Sequence, residues 1–311
     1  MAKVPVIKIV NVTKKFDLGR VTVDALQSVN LEIYSGEFVI FFGPSGCGKS
    51  TLMSMIACLQ PPSTGKIYVR GEDVTTLDDN QLAAHRRTKI GMVFQAFNLI
   101  SSMNVLENIA LPLTFARISR SRRMNRAENL LETVGMAEYK KHTPSELSGG
   151  QQQRIALARS LVANPWIVLA DEPTGNLDSK SADEVMRLLI SLNRKSKRTV
   201  ILITHNPDYL VYADRVFNMR DGKIVNVDVN ANARMEITKV KETTTKPVKG
   251  KKPSKNKVDA ESSVEVAQAE SAENIEQPID LGGEAPETTV IEKEPPKKSK
   301  TSKIKPMRLG E

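Results

Sequence analysis

One stretch of eight residues limits the fold of this chain more than any other feature. It matches the pattern G-x-x-x-x-G-K-[ST]. Its residues are Gly43, Pro44, Ser45, Gly46, Cys47, Gly48, Lys49 and Ser50. A continuous apolar run, Phe38–Phe42, comes directly before it and has the composition of a strand covered on both faces. A helical pattern follows as far as about Leu59. The sequence therefore predicts a strand, a glycine-rich turn and a helix in that order.

This turn predicts a phosphate-binding loop. Glycines permit positive φ angles and close backbone approach, so successive N–H groups can surround phosphates at a helix N-terminus. In such a loop Lys49 neutralises the β and γ phosphates and the Ser50 hydroxyl binds Mg²⁺. Thr51 is placed to add a phosphate contact. We interpret Cys47 as a small residue at a variable position of the loop rather than as a reactive thiol.

Two further segments carry site chemistry. Ser148, Gly149 and Gly150 precede a helical run, where free N–H groups can receive another anion. Asp171 and Glu172 follow the apolar strand 166–170. An acid at the carboxyl end of a parallel strand beside a phosphate loop can hold Mg²⁺, and a neighbouring acid can activate water. We therefore assign Asp171 to the metal and Glu172 to the role of general base.

The remaining pattern predicts an α/β fold. Short strand-like runs between Val6 and Phe42 indicate an N-terminal β layer, and the pattern between about 79 and 143 is mainly helical. The strands at 166–170 and 199–203 flank an amphipathic helix over 181–192. Strands that alternate with helices imply a parallel sheet with right-handed crossovers.

Composition separates two parts of the chain. Residues 231–311 contain no aromatic side chain, and only 13 of these 81 residues are Leu, Ile, Val or Phe. We expect a disordered tail made of blocks of opposite charge, because so few large apolar residues cannot form a core. The block 239–257 carries eight lysines and could contact anionic lipid headgroups or ribosomal RNA.

Composition also excludes some classes of protein. No apolar run is long enough to cross a bilayer, the first ten residues do not form a secretory signal, and two cysteines cannot build a disulfide framework. We therefore expect a chain that is soluble and cytosolic in its own right. The net charge of +9 is compatible with nucleic acid, anionic lipid or phosphate compounds as partners and does not choose among them.

Taken together, these motifs resemble those of the ATP-binding subunit of ABC transporters. The order and spacing agree over residues 5–228. Gly43–Ser50 resembles the Walker A loop, Leu147–Gln151 the signature sequence, and Ile167–Asp171 Walker B. The resemblance also places Gln95 in the Q-loop, Asp178 in the D-loop, His205 as the switch histidine, and Phe16 where most members have an adenine-stacking tyrosine. It implies a P-loop NTPase cassette over 1–230, with an antiparallel N-terminal layer, a mostly parallel core sheet and a helical subdomain at about 96–163.

The resemblance implies a mechanism as well. Two such chains pair head to tail around two ATP molecules with Mg²⁺. Ser148 and Gly150, with Gly149 between them, then bind the γ-phosphate held by the other chain, and Asp178 belongs to the same ATP site. Gln95 senses the metal and the attacking water, while His205 contacts the γ-phosphate. Phe16 can stack on the base but lacks the tyrosine hydroxyl.

Finer matches, such as Val93–Ile100 and Leu106–Leu113, are similar to the lipoprotein-releasing and macrolide-exporting ATPases. That resemblance implies a subunit at the cytoplasmic face of the membrane, bound to a separate permease. An importer subunit, a cell-division-type ATPase and a soluble ABC ATPase acting on nucleic acid or ribosomes stay open as alternatives. Nucleic acid is the least expected partner, because no long coiled coil separates Gly43 from Asp171.

Overall fold

A computed structural model describes residues 4–17, 19, 21–230 and 233. The predicted tail over 231–311 lies outside the described residues, apart from Ala233. In chain order the strands are β1 (Pro5–Asp17), β2 (Thr22–Tyr34), β3 (Phe38–Phe42), β4 (Thr64–Val69), β5 (Glu72–Asp73), β6 (Ile90–Val93), β7 (Ile167–Asp171), β8 (Thr199–Thr204), β9 (Arg215–Arg220) and β10 (Lys223–Val229). The α-helices are α1 (Lys49–Ile56), α2 (Asp79–Lys89), α3 (Val105–Phe115), α4 (Arg120–Thr133), α5 (Gly149–Leu161) and α6 (Ser179–Arg194).

The N-terminal sheet has the strand order β2-β1-β4-β5, and all of its pairs are antiparallel. Ile7 and Ile9 of β1 pair with Ile33 and Leu31 of β2, and all four side chains are buried. Because side chains on a strand alternate between faces, this set forms one apolar face against the core. The structure confirms the predicted antiparallel N-terminal layer.

The core sheet has the order β10-β9-β3-β8-β7-β6. Its strands run parallel except for β10, which pairs antiparallel with β9. Every residue of β8 is buried, as are the first four of β3 and of β7, which is typical of parallel strands covered on both faces. The mostly parallel core sheet is therefore confirmed, and the carboxyl ends of its parallel strands meet at one edge.

Helices α3, α4 and α5 lie within residues 96–163, the range expected to form a helical subdomain. Helix α4 buries Ala127, Leu130 and Leu131, and Gly135, with φ +67°, lies just beyond its end. The buried amide of Asn108 on α3 donates to the carbonyls of Ile100, Met103 and Asn104, so it fixes the loop before the helix.

Strand β6 is a difference from the sequence analysis, which predicted mainly helix from about residue 79. It has only four residues, and a Cβ added at Gly91 would lie 2.4 Å from the carbonyl oxygen of Ser160. Gly91 therefore lets α5 pack closely on this strand, a contact that local sequence cannot reveal. Among the described residues, no helix is both long and apolar enough to cross a membrane.

Candidate active site

One group of predicted site residues lies at the carboxyl ends of four neighbouring parallel strands. The loop Gly43–Gly48 follows β3, Gln95 comes two residues after β6, and His205 directly follows β8. Asp171 ends β7 and Glu172 follows it. Because β3, β8, β7 and β6 are adjacent in this order, the fold gathers these residues at one edge of the sheet.

Two glycines shape the loop after β3. A Cβ added at Gly43 would lie 2.2 Å from the carbonyl oxygen of Met219, and one at Gly48 would lie 2.5 Å from that of Ala25. Gly48 also has φ +101° immediately before α1, a conformation that other residues rarely adopt. Both positions therefore require glycine, and they set the path of the loop into the helix. The tip, with Pro44, Ser45 and Gly46, is exposed.

Lys49 is buried beneath this loop and has 5% of its surface exposed. Its ammonium group donates to the carbonyl oxygens of Gly43 and Pro44 at 2.8 and 2.7 Å. The third nearby acceptor is the Sγ atom of buried Cys47 at 3.8 Å, and sulfur is a weak acceptor. A phosphate oxygen would be a far better partner for this buried charge. Thr51 lies in the first turn of α1.

Ser50 and Asp171 are joined by a hydrogen bond. The Ser50 hydroxyl donates to Oδ1 of Asp171 over 3.1 Å, although the two residues are 121 positions apart. Burial raises the pKa of Asp171 above its usual value; the bond from Ser50 opposes this, and the neighbouring Glu172 carboxylate adds to it. A hydroxyl and a half-buried carboxylate are hard oxygen donors of the kind Mg²⁺ prefers, so these residues fit that ion.

Glu172 has an unusual backbone conformation. Its φ is +43°, which a residue other than glycine adopts only when its surroundings enforce it. Its N–H donates to the carbonyl oxygen of Ile203 at 3.0 Å, and its Oε2 lies 3.3 Å from Nδ1 of His205. The two side chains line a cavity of about 360 Å³, as does Thr204, the last residue of β8. The strained turn therefore directs the carboxylate toward His205, which follows the neighbouring strand β8.

Gln95 is engaged with a different segment. Its Nε2 donates to Oδ1 of Asn176 at 3.3 Å, and the Asn176 amide donates to the Gln95 carbonyl at 3.3 Å. Among the described residues no hydrogen bond joins Gln95 to Ser50 or Asp171. Its roles in metal binding and catalysis stay predictions. Asn176 is a partner that no local sequence signal indicates, because the two residues are 81 positions apart.

Ser148 begins α5 with a reciprocal cap. Its hydroxyl accepts from the Gln151 N–H at 3.3 Å, and the Gln151 side chain accepts from the Ser148 N–H at 2.8 Å. No hydrogen bond joins Ser148 to the loop after β3 within the described part of the chain. A Cβ added at Gly150 would lie 2.4 Å from Oγ of Ser181, so α5 packs closely on α6. Gly149 faces Leu177, which lies in the segment just before α6.

Asp178 and Phe16 have structural partners within the chain. Asp178 caps α6 by accepting from the Ser181 N–H at 3.0 Å, and the hydrogen bonds from Ser181 lower its pKa. Phe16 lies in β1 opposite Val23, and the ammonium of Lys14 is 5.2 Å from the centre of its ring. Their assignments to an ATP site stay predictions.

Comparison with known proteins gives the same family throughout. Residues 26–175 match the family model described as ABC transporter. An uncharacterized ABC transporter ATP-binding protein of Thermotoga maritima is 44% identical over 223 residues, which is 72% of this chain and 95% of that protein. The macrolide export ATP-binding/permease protein MacB of Marinobacter nauticus is 43% identical over 243 residues, 78% of this chain and 37% of that protein.

Solved structures agree with this. The dimeric ATP-binding cassette MJ0796 of Methanocaldococcus jannaschii, in a post-hydrolysis state bound to ADP and Pi, has a TM-score of 0.68 and 42% identity. The match covers 72% of this chain and 98% of that one. A second dimeric MJ0796 structure has a TM-score of 0.68 and 43% identity. These neighbours confirm the predicted cassette fold.

Proposed function

The chain belongs to the ABC transporter family as an ATP-binding, ATP-hydrolysing subunit, and we propose that it drives a separate membrane permease of lipoprotein-release or efflux type. One observation carries the catalytic part of this proposal. The Ser50–Asp171 hydrogen bond and the Glu172–His205 contact lie at the same edge of the core sheet, directly beside Lys49. Phosphate binding, metal binding and proton transfer are thus available in one place.

Each of these residues has a separate role in the hydrolysis of ATP. The N–H groups of the loop and the Lys49 ammonium bind the β and γ phosphates. Mg²⁺, when bound by Ser50 and Asp171, supplies charge that stabilises the phosphoryl oxygens. Glu172 accepts the proton of the attacking water, and His205 holds that carboxylate in position while it contacts the γ-phosphate. Protein groups thus provide positioning and charge, which is most of what phosphoryl transfer needs.

A second copy of the chain completes the site in this proposal. Ser148 and Gly150 make no hydrogen bond to their own chain's phosphate loop among the described residues, and the MJ0796 cassette has been solved as a dimer. We therefore place Ser148–Gly150 of one chain against the γ-phosphate held by Lys49 of the other, head to tail. The free N–H groups at the start of α5 would then face that phosphate.

The MacB relatives support the choice of permease. The name of MacB describes one protein as both ATP-binding and permease, and the match with this chain covers 37% of the Marinobacter protein. We propose that the present chain docks on its permease at the cytoplasmic face of the membrane. The lysine-rich block 239–257, outside the described residues, supports a contact of the tail with anionic lipid there.

Ultracentrifugation of the Glu172→Gln variant tests the dimer. With ATP and Mg²⁺ this variant should sediment as a dimer, because nucleotide binds but is not consumed. The matched control, Glu172→Gln combined with Lys49→Ala, should stay monomeric under the same conditions. A Glu172→Gln variant that remains monomeric both alone and in the presence of its permease would contradict the head-to-tail arrangement.

Affinity purification of the tagged chain from its native membranes tests the permease. Recovery of a four-span protein with a large external domain is the expected result. Recovery of ribosomes, nucleic acid or an importer-type permease instead would replace the proposed branch by one of the alternatives.

A further inference from the structure

A second pocket, of about 470 Å³, lies at the opposite end of the core sheet from the active site. Trp166 directly precedes β7 and Arg198 directly precedes β8, whereas Asp171 and His205 stand at the other ends of the same strands. Strands of five or six residues separate the two ends by roughly 17–20 Å. We call this the amino-end pocket. The lining residues that matter here are Ser35, Arg70, Asn164, Trp166, Lys197 and Arg198.

The charge of the amino-end pocket is entirely positive. Arg70, Lys197 and Arg198 line it, and none of its lining residues is acidic. Within the described part of the chain, no ion pair joins any of the three to a carboxylate. Three cations that converge on one concave site without a counter-charge attract an anion from outside the chain.

Arg198 is the most buried of the three and has 9% of its surface exposed. Its guanidinium donates to the carbonyl of Pro165 and to the side-chain oxygen of Asn164, which fixes its plane. Its Nε atom is buried without a hydrogen-bond partner among the described residues. Burial, and then the nearby charge of Arg126, lower the pKa of Arg198. A buried guanidinium without a carboxylate is unfavourable, and a bound anion would offset that.

Arg70 is held in place by an aromatic ring. Its guanidinium carbon lies 3.6 Å from the centre of the Trp166 ring, so stacking orients the group while its N–H edges stay available. Arg70, Asn164 and Lys197 also have φ angles of +52°, +56° and +55°. Such angles are uncommon for arginine and lysine, and they set the direction in which these side chains leave the backbone.

We propose that the amino-end pocket binds the phosphate group of a small phosphate ester. Guanidinium groups pair with phosphate through two parallel hydrogen bonds, and a dianion balances most of the three positive charges. Val4 and the partly exposed Trp166 ring offer apolar surface to the organic part of the ester. The volume lies within the range of small-molecule sites. The phosphate could belong to a soluble ester or to a lipid headgroup.

Trp166 is the single tryptophan of the chain, so its fluorescence reports on this pocket directly. The full-length protein would be titrated with glycerol 3-phosphate and with AMP. We expect a saturable change in fluorescence, the same in Lys49→Ala, because that variant disables only the phosphate loop at the other end of the sheet. Lys197→Gln leaves the Arg70–Trp166 stack intact. It should raise the dissociation constant about tenfold, the usual effect of losing one charge-assisted hydrogen bond.

Lys223→Gln removes the same charge from an exposed site on β10 and should bind like the parent. Vesicles of phosphatidylcholine with or without phosphatidic acid distinguish the sources of the phosphate: saturation with the soluble esters indicates a soluble ligand, and saturation only with phosphatidic acid indicates a headgroup. The proposal fails if no probe gives saturation, if Lys197→Gln binds as the parent does, or if the signal disappears in Lys49→Ala. Equal affinity for succinate would overturn the assignment to phosphate.

Discussion

Nδ1 of His205 lies 3.3 Å from Oε2 of Glu172, and each residue follows the end of a different parallel strand. The contact arises because β7 and β8 are neighbours whose register pairs Asp171 with Ile203. Glu172 adopts φ +43° directly after β7, and this turns its side chain toward the histidine. The strain in this turn is thus located at the residue proposed to accept a proton.

Replacing Glu172 by Gln should abolish hydrolysis while ATP binding persists. Glutamine has nearly the same shape but cannot accept a proton at neutral pH, so the rate of phosphate release should fall by about 10²- to 10⁴-fold. Binding of a fluorescent ATP analogue should change less than about twofold, since Lys49 and the loop are untouched. Glu132→Gln makes the same chemical change at an exposed position on α4, away from this cavity, and as the control it should hydrolyse ATP normally. Full turnover by Glu172→Gln would remove this residue from the role of base.

Replacing Ser50 by Ala should raise the Mg²⁺ concentration needed for half-maximal hydrolysis. The change removes an oxygen ligand and the hydrogen bond to Asp171, so we expect a shift of about tenfold or more. Ser50→Thr keeps the hydroxyl and should behave like the parent. The rate of ATP hydrolysis measured against Mg²⁺ concentration checks both variants. An unchanged requirement in Ser50→Ala would show that this hydroxyl does not bind the metal.

Gly150→Ala should destabilise the packing of α5 on α6. The added Cβ would lie 2.4 Å from Oγ and 2.5 Å from Cβ of Ser181, so we expect the free energy of unfolding to fall by about 1–3 kcal/mol. Chemical denaturation measures this loss. Combining Gly150→Ala with Ser181→Gly removes both contacting atoms and should recover most of it. Ser181→Ala leaves the Cβ contact and should recover little.

That double variant also separates structure from function. If Gly150 binds the γ-phosphate of the other chain, ATP-dependent dimerisation should stay impaired after the fold is restored. Recovery of dimerisation together with stability would mean that Gly150 serves only to let the two helices approach.

The sequence predicts those parts of this fold that depend on residues close to one another in the chain. The apolar run Phe38–Phe42, the glycines after it and the following helix are local signals, and they place Lys49 and Ser50 without knowledge of the rest. Strand β6 is different, because its four residues become a strand through pairing with β7 and through the close approach of α5 at Gly91. Such a contact is absent from local periodicity.

The same distinction holds within the candidate site. Asp171 and Glu172 can be identified because they end a buried strand, and the parallel sheet then predicts that they lie near the phosphate loop. The pairing of Gln95 with Asn176 and the close contact of Gly150 with Ser181 depend on side-chain positions across the fold. Asn176 and Ser181 are ordinary residue types at their positions, so sequence alone gives no reason to single them out as the partners of Gln95 and Gly150.

Truncation after residue 240 should leave the ATPase activity of the isolated subunit nearly unchanged. All the site residues named above lie before β10, and the described chain after that strand consists of Asn230 and Ala233. Asn230 donates to the carbonyls of Asp214 and Val211, and Ala233 is buried, so the cut is placed beyond both. Phosphate release and the melting temperature check the variant. A collapse of folding would show that the rest of the tail is part of the core.

Stability should fall as the pH is lowered from about 6.5 to about 4, in part because of His85. This residue is 4% exposed, with Nδ1 3.8 Å from Sγ of Cys58, and burial, with the nearby Lys89 charge, lowers its pKa from 6.5 to about 4. The unfolded chain therefore takes up a proton at about pH 6.5 that the folded chain accepts only near pH 4, so acid favours unfolding in this window.

His85→Gln cannot take up that proton and tests this directly. The variant should lose on the order of 1–3 kcal/mol less than the parent between pH 7 and pH 4, measured by urea denaturation at each pH. Above pH 7 His85 is neutral in both the folded and the unfolded parent, so the free energies of unfolding of parent and variant should differ there by a constant amount. Parallel loss of stability in parent and variant down to pH 4 would show that the acid sensitivity comes from other groups.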